Sequence, residues 1–241
     1  MRYAILSDIH GNLEALRAVR ADYTGKADAA LCLGDTVGYG AEPLACVELV
    51  AESAEAVVAG NHEHAVAGRL DLGWFNRYAR VAAEWTRDRL DDDHRGYLAA
   101  LPLVREVGDA TLVHASPAQP EEWDYLVSAE DGFAAFAHFR TRWCFVGHSH
   151  VPAAWSLGSS GPEHHPGVVH LPRERGRRYV VNVGSVGQPR DRDPRAAYAL
   201  WDTEAGTVEI RRVAYDVTTA RRKILDAGLP RFLADRLAAG A

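Results

Sequence analysis

Short apolar segments alternate with segments of helical periodicity along residues 1–60 of this chain. RYAIL, AALCL and AEAVVA read as buried strands, and LEALRAVRADY and EPLACVELVAES read as the helices between them. Strands that alternate with helices predict a parallel sheet with helices packed against it. This pattern constrains the fold more than any other feature, because ligands of such sheets lie at the carboxyl ends of the strands.

The segment from about residue 70 to residue 101 is predicted to form two helices that break near Asp91–Asp93. Apolar side chains recur on one face of the first helix at steps of three or four residues: Trp74, Tyr78, Val81 and Trp85. We expect this face to pack into the core. The same segment is the candidate for a lid over a functional site.

From residue 103 onward the chain reads as short strands with few helices between them. The strands are LVREV, ATLVHA, WCFVGHSH, AAWSL, GVVHL, RYVVNVGS, AAYALWD and GTVEIRRVAY. They predict a second, largely antiparallel sheet. A tail from about residue 217 to residue 241 predicts two short helices separated by Gly228 and Pro230. Nothing in the sequence reads as a linker, so we expect residues 1–241 to form one domain.

Composition argues against several classes of protein. A net charge of −6 gives no reason to expect bulk binding of nucleic acid. The sequence has no apolar run long enough to span a bilayer, and Asp8 and His10 interrupt the start where a signal peptide needs its apolar stretch. The scattered Cys32, Cys46 and Cys144 favour reduced, buried thiols over disulfides or a zinc ribbon. We therefore expect a cytoplasmic protein without a membrane partner.

Metal-binding residue types follow several predicted strands at the points where the strands end. They are Asp8 and His10, then Asp35 after a glycine, then Asn61, His62 and Glu63, then His114, then His148 and His150. One such cluster alone is more often a polar strand end than a site, but this many in one chain favour a shared site. The donors are oxygen and imidazole nitrogen without sulfur, which favours Mn²⁺, Fe or Zn²⁺ over copper or iron–sulfur chemistry.

The order D-x-H, G-D, G-N-H-E, H, G-H-x-H resembles that of the calcineurin-like metallophosphoesterases, and the resemblance covers almost the whole chain. Longer stretches resemble a bacterial branch related to diadenosine tetraphosphatases and serine/threonine phosphatases: GDTVGYGAEPLACVELV, HASP, EEWDYL, NVGSVGQPRD and AGLPRFLADRL. The family implies an α/β fold, a four-layer α/β/β/α sandwich of two mixed sheets flanked by helices. It also implies two divalent cations, for which we favour Mn²⁺ over Fe or Zn²⁺.

The resemblance also implies a role for each polar residue. One cation would be held by Asp8, His10, Asp35 and His150, and the other by Asp35, Asn61, His114 and His148. Asp35 would therefore bridge the two ions. His62 is the member of the set without a metal role, and it would protonate the leaving oxygen while Glu63 orients its ring.

These parts imply hydrolysis of phosphate esters through attack by a metal-bound hydroxide, without a covalent enzyme intermediate. We favour phosphodiesterase activity, because the chain is short and a shallow site admits diesters or extended substrates. The substrate would be a phosphate ester of a small molecule or of a phosphoprotein. A phosphomonoesterase or protein phosphatase acting on a phosphoprotein stays open, as does a dinucleoside polyphosphate hydrolase. A scaffold of the same fold without enzymatic activity is disfavoured, because every implied ligand and His62 are present.

Four further features each have two interpretations. Arg190 would contact the substrate phosphate or remain a solvated charge, and the second interpretation is favoured for Arg192 and Arg195. Asn12 would cap the first helix or fix the loop that carries His10, and capping alone explains it. The run HHPGVVH is predicted to be an exposed loop rather than a third metal site.

Overall fold

The computed structural model describes residues 1–167 and 170–241, which form twelve strands and eight α-helices. The strands are β1 (Arg2–Leu6), β2 (Ala29–Cys32), β3 (Ala54–Val57), β4 (Val104–Val107), β5 (Ala110–Val113), β6 (Trp143–Val146), β7 (Ala153–Gly158), β8 (Gly161–Pro166), β9 (His170–Leu171), β10 (Arg178–Asn182), β11 (Ala196–Asp202) and β12 (Thr207–Val213). The helices are α1 (Leu13–Tyr23), α2 (Pro43–Ser53), α3 (Asn61–Val66), α4 (Arg77–Arg87), α5 (Asp92–Ala100), α6 (Ala129–Ala135), α7 (Val217–Asp226) and α8 (Arg231–Ala239). Short 3₁₀ turns lie at Leu72–Trp74 and Pro120–Glu122.

The first sheet has the order β3-β2-β1-β11-β12-β9. β1, β2 and β3 run parallel, as the alternation of strands and helices predicts, whereas β11, β12 and β9 continue the sheet in antiparallel fashion. The second sheet has the order β4-β5-β6-β10-β7-β8, with a parallel centre of β5, β6 and β10 and antiparallel strands outside it. The predicted α/β fold with two mixed sheets is therefore confirmed.

The prediction that all strands after residue 103 form a separate, largely antiparallel sheet is wrong. β9, β11 and β12 join the first sheet, and Ala4 of β1 lies opposite Leu200 of β11. Without β11, β1 would be an edge strand with a row of unpaired backbone groups. The strand predicted at GVVHL lies partly outside the described residues, and β9 is the part that the structure describes.

The two sheets pack face to face around a common apolar core. Side chains from both sheets fill it, among them Ile5, Leu31, Trp143, Phe145 and Val181. α1 and α2 cover the outer face of the first sheet, and α6 covers the outer face of the second. Full burial of a side chain of this kind contributes about 1.5–3 kcal/mol, so the layers are held mainly by apolar contact. The result is the expected α/β/β/α sandwich.

The segment between α3 and β4 packs differently from expectation. Trp74 lies in a 3₁₀ turn before α4 and is 83% exposed, and Val81 is also exposed. The buried face of α4 consists instead of small residues: Ala79, Ala82, Ala83 and Thr86. Ala79 and Ala82 belong to an apolar cluster with side chains of α7 and α8, and Tyr78 and Trp85 are partly buried against it. Ala83 belongs to a second cluster with side chains of α3 and α5. The expected core packing is therefore wrong for Trp74 and Val81.

His164 and His165 of the histidine-rich run do not lie in the exposed loop that its Gly and Pro residues predict, and residues 168 and 169 of the run lie outside the described residues. His164 and His165 lie on β8, which pairs with β7. His164 stacks on the ring of Trp155, and His165 Nε2 lies 3.0 Å from Ser156 Oγ. These contacts account for both side chains without a metal ion.

The cysteines are buried and free in the described chain, as the sequence predicts. Burial raises the pKa of the Cys32 thiol to about 12, so this side chain stays protonated. Of the helices that the structure describes, none is both long and apolar enough to cross a membrane.

Candidate metal centre

The candidate site lies where parallel strands of both sheets end. β1 leads to Asp8 and His10, β2 to Asp35, β3 to Asn61 and His62, β5 to His114, and β6 to His148 and His150. These side chains are all buried except that of Asn61, which is half-buried. The backbone N–H of His148 donates to Asp8 Oδ2 at 3.0 Å, which joins the end of the second sheet to the end of the first.

Two adjacent clusters are formed by the ligand atoms of Asp8, His10, Asp35, His114, His148 and His150. In the first, His150 Nε2 lies 3.2 Å from both His10 Nε2 and Asp8 Oδ1. In the second, His114 Nε2 lies 3.2 Å from His148 Nδ1. Asp35 joins the clusters, because its Oδ2 lies 3.2 Å from His114 Nε2 and 3.6 Å from His10 Nε2.

The backbone is left-handed at the residues that carry most of these ligand atoms. The φ angles are 53° at Asp8, 51° at His10, 52° at Asp35, 64° at His148 and 62° at His150. Such conformations are uncommon for residues other than glycine, and strained backbone positions of this kind cost of order 1–3 kcal/mol each. Strain concentrated in this way is typical of a functional site, and here it directs the side chains toward a shared centre.

Backbone carbonyls orient three of the imidazoles. The Nδ1–H groups of His10, His114 and His150 donate to the carbonyl oxygens of Val37, Leu33 and Gln188 at 3.0, 2.8 and 2.6 Å, respectively. A carbonyl oxygen only accepts, so each contact makes Nδ1 a protonated nitrogen and turns Nε2 into the site. Metal-bound histidines almost always have such a partner at the second ring nitrogen.

The donor set fits divalent cations. Among the described residues, Asp8 Oδ1 and Asn61 Oδ1 are buried without a hydrogen-bond partner, which leaves both oxygens free to coordinate. Burial lowers the pKa of His10 and of His150, so both rings are neutral, as coordination requires. Burial also raises the pKa of Asp8 to about 7, and a cation beside this carboxylate would compensate for its desolvation.

Glu63 has a different neighbour from the one expected. Its Oε2 accepts from the N–H groups of Asp35 and Gly60 at 2.7 and 2.8 Å, and its Oε1 accepts from that of Thr36 at 2.7 Å. The expectation that Glu63 orients His62 is therefore wrong. The carboxylate holds the loops after β2 and β3 together, and these loops position Asp35 and Asn61.

His62 is buried at the start of α3 beside the two clusters. Its ring centroid lies 4.8 Å from that of His10, 4.6 Å from that of Tyr39 and 4.8 Å from that of Phe75. Its Nδ1 has no hydrogen-bond partner among the described residues. Burial lowers the pKa of His62 to about 4, against the opposing effect of Asp35, so the ring is neutral in the free protein near pH 7.

Arg190 lies near the site, whereas its neighbours do not share its environment. Its guanidinium donates to Gln188 Oε1 at 2.9 Å and lies 5.9 Å from the Tyr39 ring centroid. Its Nε is buried without a partner in the described chain. Arg192 and Arg195 are exposed, which agrees with the interpretation of solvated charges.

Asn12 meets both expectations for it. Its Oδ1 caps α1 by accepting from the N–H of Ala15 at 3.1 Å. Its Nδ2 donates to the carbonyl of Gly187 at 2.8 Å, which ties the loop that carries His10 to the loop that precedes Arg190.

A cleft of about 420 Å³ opens beside the clusters, and several of the residues that line it were not predicted as site residues from the sequence. Its lining consists of Tyr39, Asn61, His62, Leu70, Trp74, Phe75, Asn76, Ala79, Glu121, Glu122, Trp123, Tyr125 and His148. The stretch EEWDYL was recognised only as part of the resemblance, and it supplies four of these residues. The combination of three acidic and two aromatic side chains in six residues was the signal available.

Comparison with known proteins identifies one matching family and three similar proteins. Residues 1–206 match the family model of the calcineurin-like phosphoesterase superfamily domain. An uncharacterised protein of Methanocaldococcus jannaschii is 38% identical over 243 residues, which span 98% of this chain and 97% of that protein. The crystal structure of a metallophosphoesterase from Sphaerobacter thermophilus is 44% identical, matches 100% of this chain and 99% of its own, and superposes with a TM-score of 0.87. The crystal structure of a hypothetical protein from Pyrococcus horikoshii OT3 has the same fold, with a TM-score of 0.76. That protein is 22% identical, and the match covers 100% of this chain and 98% of the other.

Proposed function

This chain belongs to the calcineurin-like phosphoesterase superfamily, whose members are metal-dependent hydrolases of phosphate esters, and from that premise we propose that it is a phosphodiesterase with a two-metal centre. The position of Asp35 carries the proposal. One oxygen of this carboxylate lies within 3.6 Å of His10 Nε2 and 3.2 Å of His114 Nε2, between the two clusters of ligand atoms. A carboxylate in this position is suited to bridge two cations.

Six of the proposed ligands belong to the two clusters, and the seventh, Asn61, offers a buried amide oxygen without a hydrogen-bond partner among the described residues. One cation would be held by Asp8, His10, Asp35 and His150, and the second by Asp35, Asn61, His114 and His148. Oxygen and imidazole nitrogen donors suit Mn²⁺, which we favour over Fe or Zn²⁺. When bound, such cations lower the pKa of a coordinated water to about 7 and neutralise charge that develops on the phosphoryl group.

His62 is the proposed donor to the leaving oxygen. Its ring lies between the clusters and the cleft, so a leaving group in the cleft would place its oxygen near this side chain. A phosphate anion beside the ring stabilises the protonated form and opposes the lowered pKa of the free protein. Tyr39 and Phe75 pack against the ring and keep it in position.

A diester is favoured over a monoester because of the adjoining cleft. Its volume of about 420 Å³ lies within the usual range of small-molecule sites. The phosphate of a diester carries one negative charge and that of a monoester up to two, and Glu121 and Glu122 on the cleft lining favour the less charged ester.

Substrate hydrolysis with Mn²⁺ tests the proposal, with the phenyl and 4-nitrophenyl diesters of methyl phosphate as a pair. We expect wild-type protein to hydrolyse both. His62→Ala should lower kcat for the phenyl ester about 10²–10⁴-fold, the usual contribution of a general acid. The loss for the nitrophenyl ester should be much smaller, because nitrophenolate leaves without a proton.

His138→Ala is the matched control, since it removes an exposed imidazole that precedes β6, whereas the site residue His148 follows the opposite end of that strand. This variant should retain wild-type rates with both esters. Equal losses for the two esters in His62→Ala would refute the donor role. Absence of metal-dependent hydrolysis of any ester in the wild-type protein would refute the function.

A further inference from the structure

The cleft beside the metal centre has walls made largely of aromatic rings. Trp74 and Phe75 come from the turn before α4, and Trp123 and Tyr125 come from the loop after β5. His62, the proposed donor to the leaving oxygen, lines the same cleft. A group that leaves from a phosphate at the metal centre therefore departs toward these rings.

The loop that carries Trp123 and Tyr125 is held in a strained conformation. Its φ angles are 47° at Gln119 and 58° at Trp123. A positive φ is a genuine outlier for a bulky residue such as Trp, so the surrounding structure must enforce it. The Tyr125 ring stacks on that of His148 with centroids 4.1 Å apart, and the tyrosine is still 51% exposed.

Trp74 faces these residues from the opposite segment and is 83% exposed. An indole is among the side chains that gain most from burial, so its exposure at the mouth of a cleft is typical of a binding surface. The 3₁₀ turn that carries it is fixed by Asp71, whose Oδ1 accepts from the N–H of Gly73 at 2.8 Å. The exposed ring therefore projects from an ordered turn.

The charge of the cleft restricts what it accepts. Glu121 and Glu122 lie on its lining, and none of the described lining residues is Lys or Arg. Additional anionic groups on the part of the substrate that enters the cleft would be repelled by these carboxylates. A long polyphosphate or an acidic peptide is thus disfavoured there.

From these observations we propose that the cleft binds the leaving group of the substrate as a flat, uncharged aromatic ring, stacked between Trp74 and the Trp123–Tyr125 loop. The inference rests on the proposed phosphodiesterase function and specifies its substrate class as aryl or nucleoside-type diesters without further negative charge. Aromatic stacking of a ring on a protein side chain is worth about 1–3 kcal/mol by alanine substitution, which corresponds to roughly 5- to 150-fold in affinity.

The first test needs neither metal nor catalysis. Indole N–H signals of EDTA-treated protein are followed by NMR while 2-naphthol or cyclohexanol is added, and Trp74→Phe and Trp123→Phe assign the two cleft signals. We expect naphthol to shift the Trp74 and Trp123 signals and cyclohexanol to leave them in place. The buried indoles of Trp143 and Trp155 serve as internal controls that should not move.

The second test compares kcat/KM for the 2-naphthyl and phenyl diesters of methyl phosphate in each variant, so that intrinsic reactivity cancels. Trp74→Ala and Trp123→Ala should each lower the naphthyl-to-phenyl ratio about 5-fold or more. Phe232→Ala removes a half-exposed ring that is not part of the cleft lining and should keep the wild-type ratio. Circular dichroism verifies that each variant is folded.

The outcomes separate the two proposals. Two results would overturn the aromatic cleft and leave the proposed phosphodiesterase function intact. One is hydrolysis with an unchanged naphthyl-to-phenyl ratio in both tryptophan variants. The other is a set of naphthol-induced shifts that is absent or spread over all indoles. Selective naphthol shifts without hydrolysis of any ester would support the cleft and overturn the function. A carboxylate on the naphthyl ring should weaken binding to the wild-type protein and should have little effect on binding to the E121Q/E122Q double variant. Equal binding of the charged and uncharged rings by the wild-type protein would contradict the charge restriction.

Discussion

Asp22 connects α1 to the first sheet, and its replacement by asparagine tests how the outer layer is held. Its Oδ2 accepts from the Tyr198 hydroxyl at 2.6 Å and from Arg211 Nε at 2.9 Å, and its Oδ1 accepts from Lys26 Nζ at 2.6 Å. The side chains of Asp22 and Arg211 are only 21% and 28% exposed, so solvent screens this pair less than a surface pair.

The expected cost of Asp22→Asn follows from which bonds survive. Because Asp22 Oδ2 accepts from both Tyr198 and Arg211, the oxygen of the introduced amide would still accept from both, but without the negative charge. The NH₂ group in place of Oδ1 would face Lys26 Nζ and Arg211 Nη2, donor against donor. The change thus removes chiefly one charge-assisted interaction, worth about 1.5–3 kcal/mol. The partner Lys26 is 44% exposed and adds little. For a chain of this size the loss corresponds to a fall in Tm of roughly 3–12 °C.

The stability difference between wild type and D22N should also depend on pH, and the direction of that dependence follows from the pKa of Asp22. Hydrogen bonding to Arg211 holds the pKa of Asp22 well below its ordinary value, against the opposing effect of burial. The interaction is therefore complete above the unfolded pKa of about 3.9 and is lost as pH falls toward the folded pKa. The difference in Tm between wild type and D22N should be constant from about pH 7 to pH 5 and should shrink below about pH 4.

Thermal unfolding by circular dichroism across this pH range is the assay, in EDTA so that metal binding does not contribute. Glu204→Gln makes the same chemical change at a carboxylate that is 87% exposed, and it should alter stability by less than about 0.5 kcal/mol. A D22N protein as stable as wild type at pH 7, or a difference that persists undiminished at pH 3, would refute this account of the α1 contact.

Three further predictions concern the site and the thiols. In Gly38→Ala the added Cβ would overlap His62 Nδ1 and displace the ring. We expect kcat for the phenyl diester to fall about 10²-fold, which is the usual cost of misplacing a catalytic group by about 1 Å. An unchanged kcat would contradict the position of His62. Removal of metal by EDTA should abolish hydrolysis and lower Tm, and readdition of Mn²⁺ should restore both. Elemental analysis should then find two ions per wild-type chain and fewer than two per chain in Asp35→Asn. Burial raises the pKa of all three cysteines, so the native protein should not react with a thiol reagent at pH 8 until urea is added; rapid labelling would show that they are accessible.

Much of the local structure was predictable because its signals are local. The apolar run RYAIL and the helical periodicity of LEALRAVRADY predict β1 and α1 with the bounds that the structure has. The order of Asp, Asn and His after the strands indicated the family, which the comparisons confirm. The assignment of individual metal ligands stays a prediction, although the structure brings the named Asp and His side chains together and places Asn61 on the adjoining cleft.

The tertiary structure decided what depends on contacts between distant segments. Periodicity describes one strand at a time, so it could not show that β11 completes the first sheet beside β1 rather than joining the second. It also could not show that Glu63 accepts from the backbone of Asp35 instead of orienting His62, because the choice depends on a loop 28 residues away.

The same reason explains the exposed Trp74. A regular spacing of apolar residues predicts one buried face, but contacts with α3, α5, α7 and α8 bury the alanines of α4 instead. The large ring that was expected in the core lies instead at the cleft with Trp123 and Tyr125. The sequence by itself determined the donor atoms and the order in which strands deliver them; the packing of the two sheets and their helices decided where those atoms meet and what surrounds them.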